Sequence, residues 1–453
     1  MAELTTIILA AGDGTRMLSS MPKLLHPVAG LPIVGHVTRA ALDAGSKTIA
    51  AITAPGQDEV RKAINKIAPD ALFFEQKERL GTAHAAKMAR PVWEKAQGYT
   101  ALVYGDHPLL HGDIFRLVTN RLDEGWDVAI LGFEPEDPTG YGRFLTDGER
   151  LLDIREHRDA NVAERQVRLC NACILAFRAE VFRQTIDKVS NDNVQSEYYL
   201  GDLVALANEA GYRVGFAVAP ADDVVGVNSR FQLAQAEHMY QQHIRQRMMD
   251  SGVTLQDPSS IYFSYDTKIA RDVTIEPNVF FGPGVNVGEN VHIKAFSHIE
   301  GADISRGAVI GPFARLRPGT NLAERAKIGN FVELKNAEVG EGAKVNHLSY
   351  VGDARLGPDV NVGAGTITCN YDGVNKHFTN IEAGAFIGSN SALVAPVAIG
   401  PNAVIGAGSI ITEDVGADEL ALTRAAQVNK PEGASRLRKK VRNLKEKAKK
   451  DQN

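Results

Sequence analysis

Two glycines, an arginine and a lysine follow the first apolar run of the chain: LAAGDGTRM occupies residues 9–17, with Pro22 and Lys23 after it. Residues of these types at this spacing can hold a polyphosphate. The glycines let the backbone approach closely, N–H groups at a loop and helix start act as donors, and Arg16 and Lys23 neutralise charge. The string is not a P-loop, which requires GKS or GKT, and it lacks the third glycine of the dinucleotide fingerprint. A second group lies far downstream: Lys335, His347, Tyr350, Asn361, Asn370, Tyr371 and Lys376. Lysines suit an anion, and an imidazole can take a proton from a nucleophile near neutral pH.

Positioning these groups requires two kinds of scaffold. Up to about residue 228, β-rich apolar runs (TTIILAA, KTIAAIT, ALFFEQ, TALVYGD, WDVAILGF) alternate with helical segments, which predicts an α/β domain with a mostly parallel sheet. From Ser229 to about Asp250 there is no Gly or Pro, and Leu233, Ala236, Tyr240, Ile244 and Met248 recur at helical spacing, which predicts one linking helix. An aliphatic residue then returns at every sixth position, as at Ile304, Ile310, Leu316, Leu322, Ile328 and Leu334, within a region from about Thr267 to Val415. That period belongs to a stacked parallel β-helix of hexapeptides, three to a coil, with small residues or Gly expected at the corners. The repeat has faults. Two intervals shrink to five residues, Leu334 to Val339 and Val351 to Leu356, and CNYDGVNKHFTN interrupts it after Thr368. The second polar group sits at these faults, where extruded loops can build a site.

A chain of 453 residues exceeds a single core, and its 23% charged and 44% hydrophobic residues describe an ordinary globular protein. A net charge of −5 gives no reason to expect nucleic acid, and no apolar stretch approaches a bilayer span. The amino terminus reads as a first strand rather than a signal peptide, so a cytoplasmic protein without membrane insertion is expected. Three cysteines fit reducing conditions; the lone pair Cys170 and Cys173 reads as buried thiols, not as a zinc or redox centre. The closing segment, RLRKKVRNLKEKAKKDQN, reads as a solvated basic tail.

The full LxxGxGTR string followed by PK resembles the signature of sugar-phosphate nucleotidyltransferases. Further strings extend the likeness: EQKERLGTAHA, YGDHP, GYGR, REH, CNAC, GVNSR, and downstream LRPG, VELK, NHLSY and VGAGTITCNYDG. Together they resemble the bacterial bifunctional family that makes UDP-N-acetylglucosamine, over essentially the whole chain. The resemblance implies a Rossmann-like nucleotidyltransferase domain at 1–230, a linker helix at 231–251 and a left-handed β-helix with its basic tail at 252–453. It implies acetylation of glucosamine 1-phosphate by acetyl-CoA, then uridylyl transfer from UTP, to supply peptidoglycan and lipopolysaccharide synthesis. It places Leu9, Ala10, Ala11, Gly12, Lys23, Gln76, Gly81, Thr82, Tyr104 and Gly105 on the uridine nucleotide, with Gly142, Glu156 and Asn171 on sugar and ribose. Asp106 and Asn228 would hold Mg²⁺, whose preference for hard oxygens and retained water suits one carboxylate and one amide. The sugar phosphate is already an ionised nucleophile, so alignment and charge neutralisation, including Arg16 and Lys23, suffice without a base. His107 then reads as a loop residue.

In the second half, the resemblance assigns His347 as general base and Arg317, Lys335, Tyr350, Asn361 and Lys376 to glucosamine 1-phosphate. Acetyl-CoA falls to Ala364, Asn370, Tyr371, Ser389, Ala407 and Arg424. Cys369 lacks a base of its own, which argues against an acetyl-cysteine route. Small-molecule substrates, no nucleic acid and a homotrimer through the β-helix complete the expectation. Three features depart from the family: Ala172 and Cys173 follow Asn171 where Thr-Gly is usual, Arg79 replaces a Gln, and Gly201 stands where Pro or Thr is common. Two other readings stay open: a single-activity nucleotidyltransferase with a regulatory or oligomerising solenoid, and a solenoid that is only a structural rod.

Overall fold

A computed structural model describes residues 2–450, apart from the side chains of Cys173, Lys449 and Lys450. The chain divides into two compact units, Met1–Asn286 and Val287–Asn453.

In the first unit the apolar runs become strands: β1 (Leu4–Ala10), β2 (Ser46–Thr53), β3 (Leu72–Glu75), β4 (Tyr99–Tyr104) and β5 (Val128–Phe133). Four more were not read from the sequence: β6 (Arg143–Asp147), β7 (Arg150–Arg155), β8 (Cys170–Arg178) and β9 (Val214–Val218). The nine form one sheet in the order β3-β2-β1-β4-β8-β5-β9-β7-β6. Strands β1 to β4 pair in parallel, whereas β8 runs antiparallel to both β4 and β5, and β6 and β7 form an antiparallel pair.

Alternating residues feed two cores. Ile8 and Val103 pack on one face under α1 (Ile33–Asp43), α2 (Asp58–Ile67) and α4 (Gly112–Asp123). Ile7 and Leu102 pack on the other under α3 (Thr82–Met88), α5 (Ala179–Thr185) and α6 (Asp202–Glu209). Burial on both faces is why these strands read as unbroken apolar runs rather than alternating ones. The predicted long helix is α7 (Arg230–Asp250), started by the Ser229 hydroxyl accepting from the Gln232 N–H at 3.2 Å. Its buried polar residues are satisfied: Gln241 exchanges two hydrogen bonds with the Phe263 backbone, and Arg245 Nε donates to the Ile261 carbonyl.

The second unit is the expected parallel β-helix. Its rungs are short strands in parallel register, Ile293 beside Ile310, Ile328 and Val345, then Val362, Ile387 and Ile405 on the same face. Two features differ from expectation. The corners are not confined to small residues: Phe296, Phe313, Phe331 and Leu348 occupy left-handed conformations there, with φ of 60°, 55°, 54° and 52°. Ring stacking offsets the strain, since Phe296, Phe313 and Phe331 lie face to face at 4.9 and 5.1 Å. The five-residue intervals do not break strands either. Glu333–Val339 and Tyr350–Leu356 run continuously through the shortened corners, where Asn336 and Asp353 take positive φ. The CNYDG excursion is a true extrusion, closed by an antiparallel Tyr371–Lys376 bridge.

Leu334 is fully buried in this stack. Leu334→Ala should cost about 2–5 kcal/mol through lost burial and a residual void, read from urea unfolding followed by circular dichroism. A loss below about 1 kcal/mol would mean that the coil interior is not close-packed.

Candidate functional site

Two clusters emerge, one in each unit. In the first, β1 continues as β2 and β3 on one side, while the chain returns as β4 on the other. A crevice opens at such a switch point beyond the carboxyl ends of the strands. A cavity of about 300 Å³ lies there, lined by Leu9, Ala11, Gly12, Lys23, Gln76, Arg79, Gly81, Thr82, Tyr104, Asp106 and Glu197 among others. Gly105 brings the strand ends together, its N–H donating to the Leu9 carbonyl at 2.9 Å. Gly14, with φ of 62°, leaves room for the Lys23 side chain, whose Cβ would lie 2.4 Å from any Cβ added there.

Lys23 is the centre of the cavity floor. Its buried ammonium donates to Asp106 Oδ2 at 2.6 Å and to Asn228 Oδ1 at 3.0 Å. Burial works to raise the Asp106 pKa, but His107 and Lys23 outweigh it and hold the carboxyl well below the usual range. A carboxylate and an amide oxygen therefore converge on one cationic point, the donor chemistry that suits a hard divalent ion. Among the described residues no group of three His, Cys, Asp or Glu could hold a metal. An ion here would rest on two protein oxygens plus phosphate and water. Arg16, by contrast, is exposed on the turn Thr15–Met17 and does not line the cavity.

Around the rim, Gln76 Nε2 donates to the Gly81 carbonyl at 3.0 Å. Gly81 takes φ of 109° against the Tyr198 backbone, and the Thr82 hydroxyl accepts from the Leu200 N–H at 3.0 Å. The SEYYLGD segment thus braces this rim. Outside that cavity's lining, the Asn171 N–H donates to the Gly142 carbonyl at 2.8 Å and Glu156 lies against Gly142. The Asn171 Oδ1 is buried and has no hydrogen-bond partner among the described residues. Burial, with Asp159 and Asp202 adding to it, pushes the Glu156 pKa up to about 7; Asp202 rises to about 6 by burial and then Asp153 and Asp159. Gly142, Glu156 and Asn171 are brought together, while Ala10 sits buried at the end of β1.

Two rim residues escaped the sequence reading. Glu197 carries no local signal. Arg79 had one, as a departure: it donates to the Ala11 carbonyl at 3.1 Å and pairs with Asp13, clamping the glycine loop. Cys170 is a buried free thiol, its pKa raised by burial to about 11; the Cys173 side chain lies outside the described residues.

In the second unit His347 is exposed, with Nδ1 2.7 Å from Asn330 Oδ1. A carboxamide oxygen can only accept, so Nδ1 carries the hydrogen and Nε2 is left as a proton acceptor. Interstrand bonds reveal what His347 stands above. The Leu348, Gly365, Asn390 and Gly408 N–H groups donate to the carbonyls of Asn330, His347, Ala364 and Ser389, and Arg424 donates to the Ala407 carbonyl at 2.6 Å. Asn330, His347, Ala364, Ser389 and Ala407 therefore occupy one column, a rung apart. The side chains below the imidazole, Ala364, Ser389 and Ala407, are all small.

Cations also gather in this unit. Lys376 adjoins Lys335 and, with Arg317, pulls its pKa below the ordinary lysine range, a crowding that Asp353 only partly relieves. Arg317 donates to Glu333 at 2.9 Å, and the Tyr350 hydroxyl lies over Gly352. Asn361 is half-buried on its own short strand. Asn370 is buried with its amide turned onto Asp353, which also accepts from Asn336 at 2.7 Å. Asp353 was missed for want of any sequence signal. Tyr371 is exposed on the extruded hairpin, its hydroxyl donating to the Gly373 carbonyl at 2.6 Å. Cys369 is half-buried with a free thiol.

The MobA-like NTP transferase domain model matches residues 6–173, and the bacterial transferase hexapeptide model matches 266–301 and 378–413. The latter identifies the coil as the left-handed β-helix of that class. Proteins named bifunctional protein GlmU cover nearly the whole chain. That of Xanthobacter autotrophicus is 50% identical over 96% of this chain and 97% of its own. That of Brucella anthropi is 50% identical over 97% of each, and that of Paramagnetospirillum magneticum 46% over 99% of each. With a nucleotide-type crevice in one unit and a hexapeptide coil in the other, the chain belongs to the bifunctional GlmU family, which joins a uridylyltransferase to an N-acetyltransferase in one polypeptide.

Proposed function

We propose that the crevice of the first unit is the uridylyl-transfer site and the His347 column the acetyl-transfer site. We assign 1–230, 231–251 and 252–453 to the corresponding domains, a division by type of element that differs from the two compact units, which part after Asn286. The observation that carries the reading is the His347 column: an imidazole whose Nε2 is left as an acceptor, with the small residues Ala364, Ser389 and Ala407 stacked beneath it; the Lys335–Lys376 pair lies in the same unit. In acetyl transfer, Arg317, Lys335 and Lys376 take the phosphate of glucosamine 1-phosphate, with Tyr350 and Asn361 on the sugar. The amine attacks the thioester carbonyl and gives its proton to His347 Nε2 as the carbon–sulfur bond breaks; the departing thiolate is then protonated. Acetyl-CoA runs along Ala364, Ser389 and Ala407 toward Arg424, with Tyr371 at its flank and Asn370 bracing Asp353.

In uridylyl transfer the phosphate oxygen of N-acetylglucosamine 1-phosphate displaces pyrophosphate from the α-phosphorus of UTP. Leu9, Ala10, Ala11, Gly12, Gln76, Gly81, Thr82, Tyr104 and Gly105 hold the nucleotide. Gly142, Glu156 and Asn171 hold sugar and ribose, and Lys23 on the cavity floor neutralises the phosphates, with the exposed Arg16 reaching in from outside the cavity. Asp106 and Asn228 would hold Mg²⁺, which supplies charge neutralisation and alignment when bound. A cytoplasmic homotrimer supplying cell-wall precursors completes the proposal. The family match and the absence of a membrane-crossing helix among the described residues support it.

His347→Ala should lower acetyl transfer at least about a hundredfold and leave uridylyl transfer within twofold, measured by separate assays on the same preparation; acetylation at the parent rate would sink the assignment. Asp106→Ala should do the reverse, and parallel loss of both would point to misfolding. Glu156, with a pKa raised above its unfolded value, contributes stability that is complete below about pH 4.5 and lost as pH rises through about 7. Glu156→Gln should therefore flatten the decline in unfolding free energy between pH 5 and 8 by on the order of 2 kcal/mol. An unchanged slope in urea titrations would contradict the burial argument.

A further inference from the structure

Neither reaction uses the last helix, Gly433–Lys450, which spans 18 residues. Leu437, Val441 and Leu444 are exposed at 62%, 56% and 58%, although their 4- and 3-residue spacing draws them into one stripe with Ala434 and Ala448. A stripe at this spacing is the a/d seam of a coiled coil, so a second copy of the helix is the first occupant to consider. The flanks exclude it. Taking Leu437 and Leu444 as d positions puts Arg438 and Lys445 at e, and Lys440 and Lys447 at g. All four are cationic, so two copies would set like charge against like charge along both edges of the seam. Nine Lys or Arg against the single Glu446 give the helix a net charge of +8, within a chain of −5.

The occupant must therefore be anionic on both sides of the seam and apolar along its middle. Nucleic acid meets the first requirement but gives three aliphatic side chains nothing to bury against. An anionic bilayer meets both, because the aliphatic stripe reaches the acyl boundary while the long basic side chains on each flank extend to the headgroups. We infer that Gly433–Lys450 is a peripheral docking helix for an anionic lipid surface. The helix lies parallel to that surface and crosses nothing. It holds the enzyme where charge and apolar burial act together, and salt weakens the hold by screening.

Sedimentation of the full-length protein with large vesicles tests this. With phosphatidylglycerol and phosphatidylcholine in equal parts at low salt the protein should pellet; with pure phosphatidylcholine it should stay in the supernatant. Replacing Arg438, Lys440, Arg442 and Lys445 by Gln should weaken partitioning about a hundredfold or more. L437S/L444S, which keeps every charge, should weaken it about tenfold. Both variants should retain acetyl and uridylyl transfer within twofold, which separates lost docking from lost folding. Failure to pellet with the anionic vesicles overturns the inference. So does L437S/L444S binding as tightly as the parent, or duplex DNA of equal charge competing the protein off the vesicles, since either would make the helix a plain polycation.

Discussion

A parallel ladder fixes which residues share a level, because each backbone N–H must meet the carbonyl of the neighbouring strand or stay unsatisfied. Both proposed sites depend on that register. In the first unit, Leu9 pairs with Tyr104 across β1 and β4, so the glycine loop and the YGDHP loop leave the sheet at the same height and face one crevice. In the second, the register sets Asn330, His347, Ala364, Ser389 and Ala407 in a column, though up to 25 residues separate neighbouring members in sequence. A one-residue slip would turn each inward aliphatic to the solvent, so the interior that stabilises the coil also holds the column in place.

Electrostatics is arranged on this frame differently in the two units. The first buries its cation and supports it from below: Lys23 is held by Asp106 and Asn228, and Asp106 in turn by His107. The second leaves its cations at the surface and crowds them. A second pocket of the first unit is opposite in sign: it is lined by Glu156, Asp159 and Asp202, and burial with the neighbouring carboxylates raises the pKa of Glu156 to about 7 and that of Asp202 to about 6. Near pH 7 Glu156 is thus protonated in part, and a protonated carboxyl can donate a hydrogen bond as well as accept one.

Much of this was legible in the sequence because it is periodic or local. The six-residue period gives the coil, the unbroken apolar runs give β1 to β5, and Ser229 marks the start of α7. The rest depends on distance. Strand β8 has no flanking turn signal and enters the sheet between β4 and β5 only because the tertiary order demands it. Arg79 and Asp13 are 66 residues apart, and Asp353 meets Asn336 and Asn370 only through the 17-residue rung. The corner prediction failed for a related reason. A preference for small residues in left-handed positions is intrinsic, while the stacking that lets Phe296, Phe313 and Phe331 occupy them exists only once coils are superposed.

The crowding of Lys335 and Lys376 bears on how such a site acts. Two flexible lysines in water would separate, since their rotamer freedom costs little to exploit. Here they stay close because one leaves the strand Glu333–Val339 and the other the second arm of the bridged Tyr371–Lys376 hairpin. Their repulsion is thus imposed by the fold and paid once, at folding. On the proposed assignment, a dianion entering between them would remove it and gain two charge-assisted contacts, more than the same two lysines on a loose loop could supply. The extruded hairpin, an irregularity in the repeat, is what makes that arrangement possible.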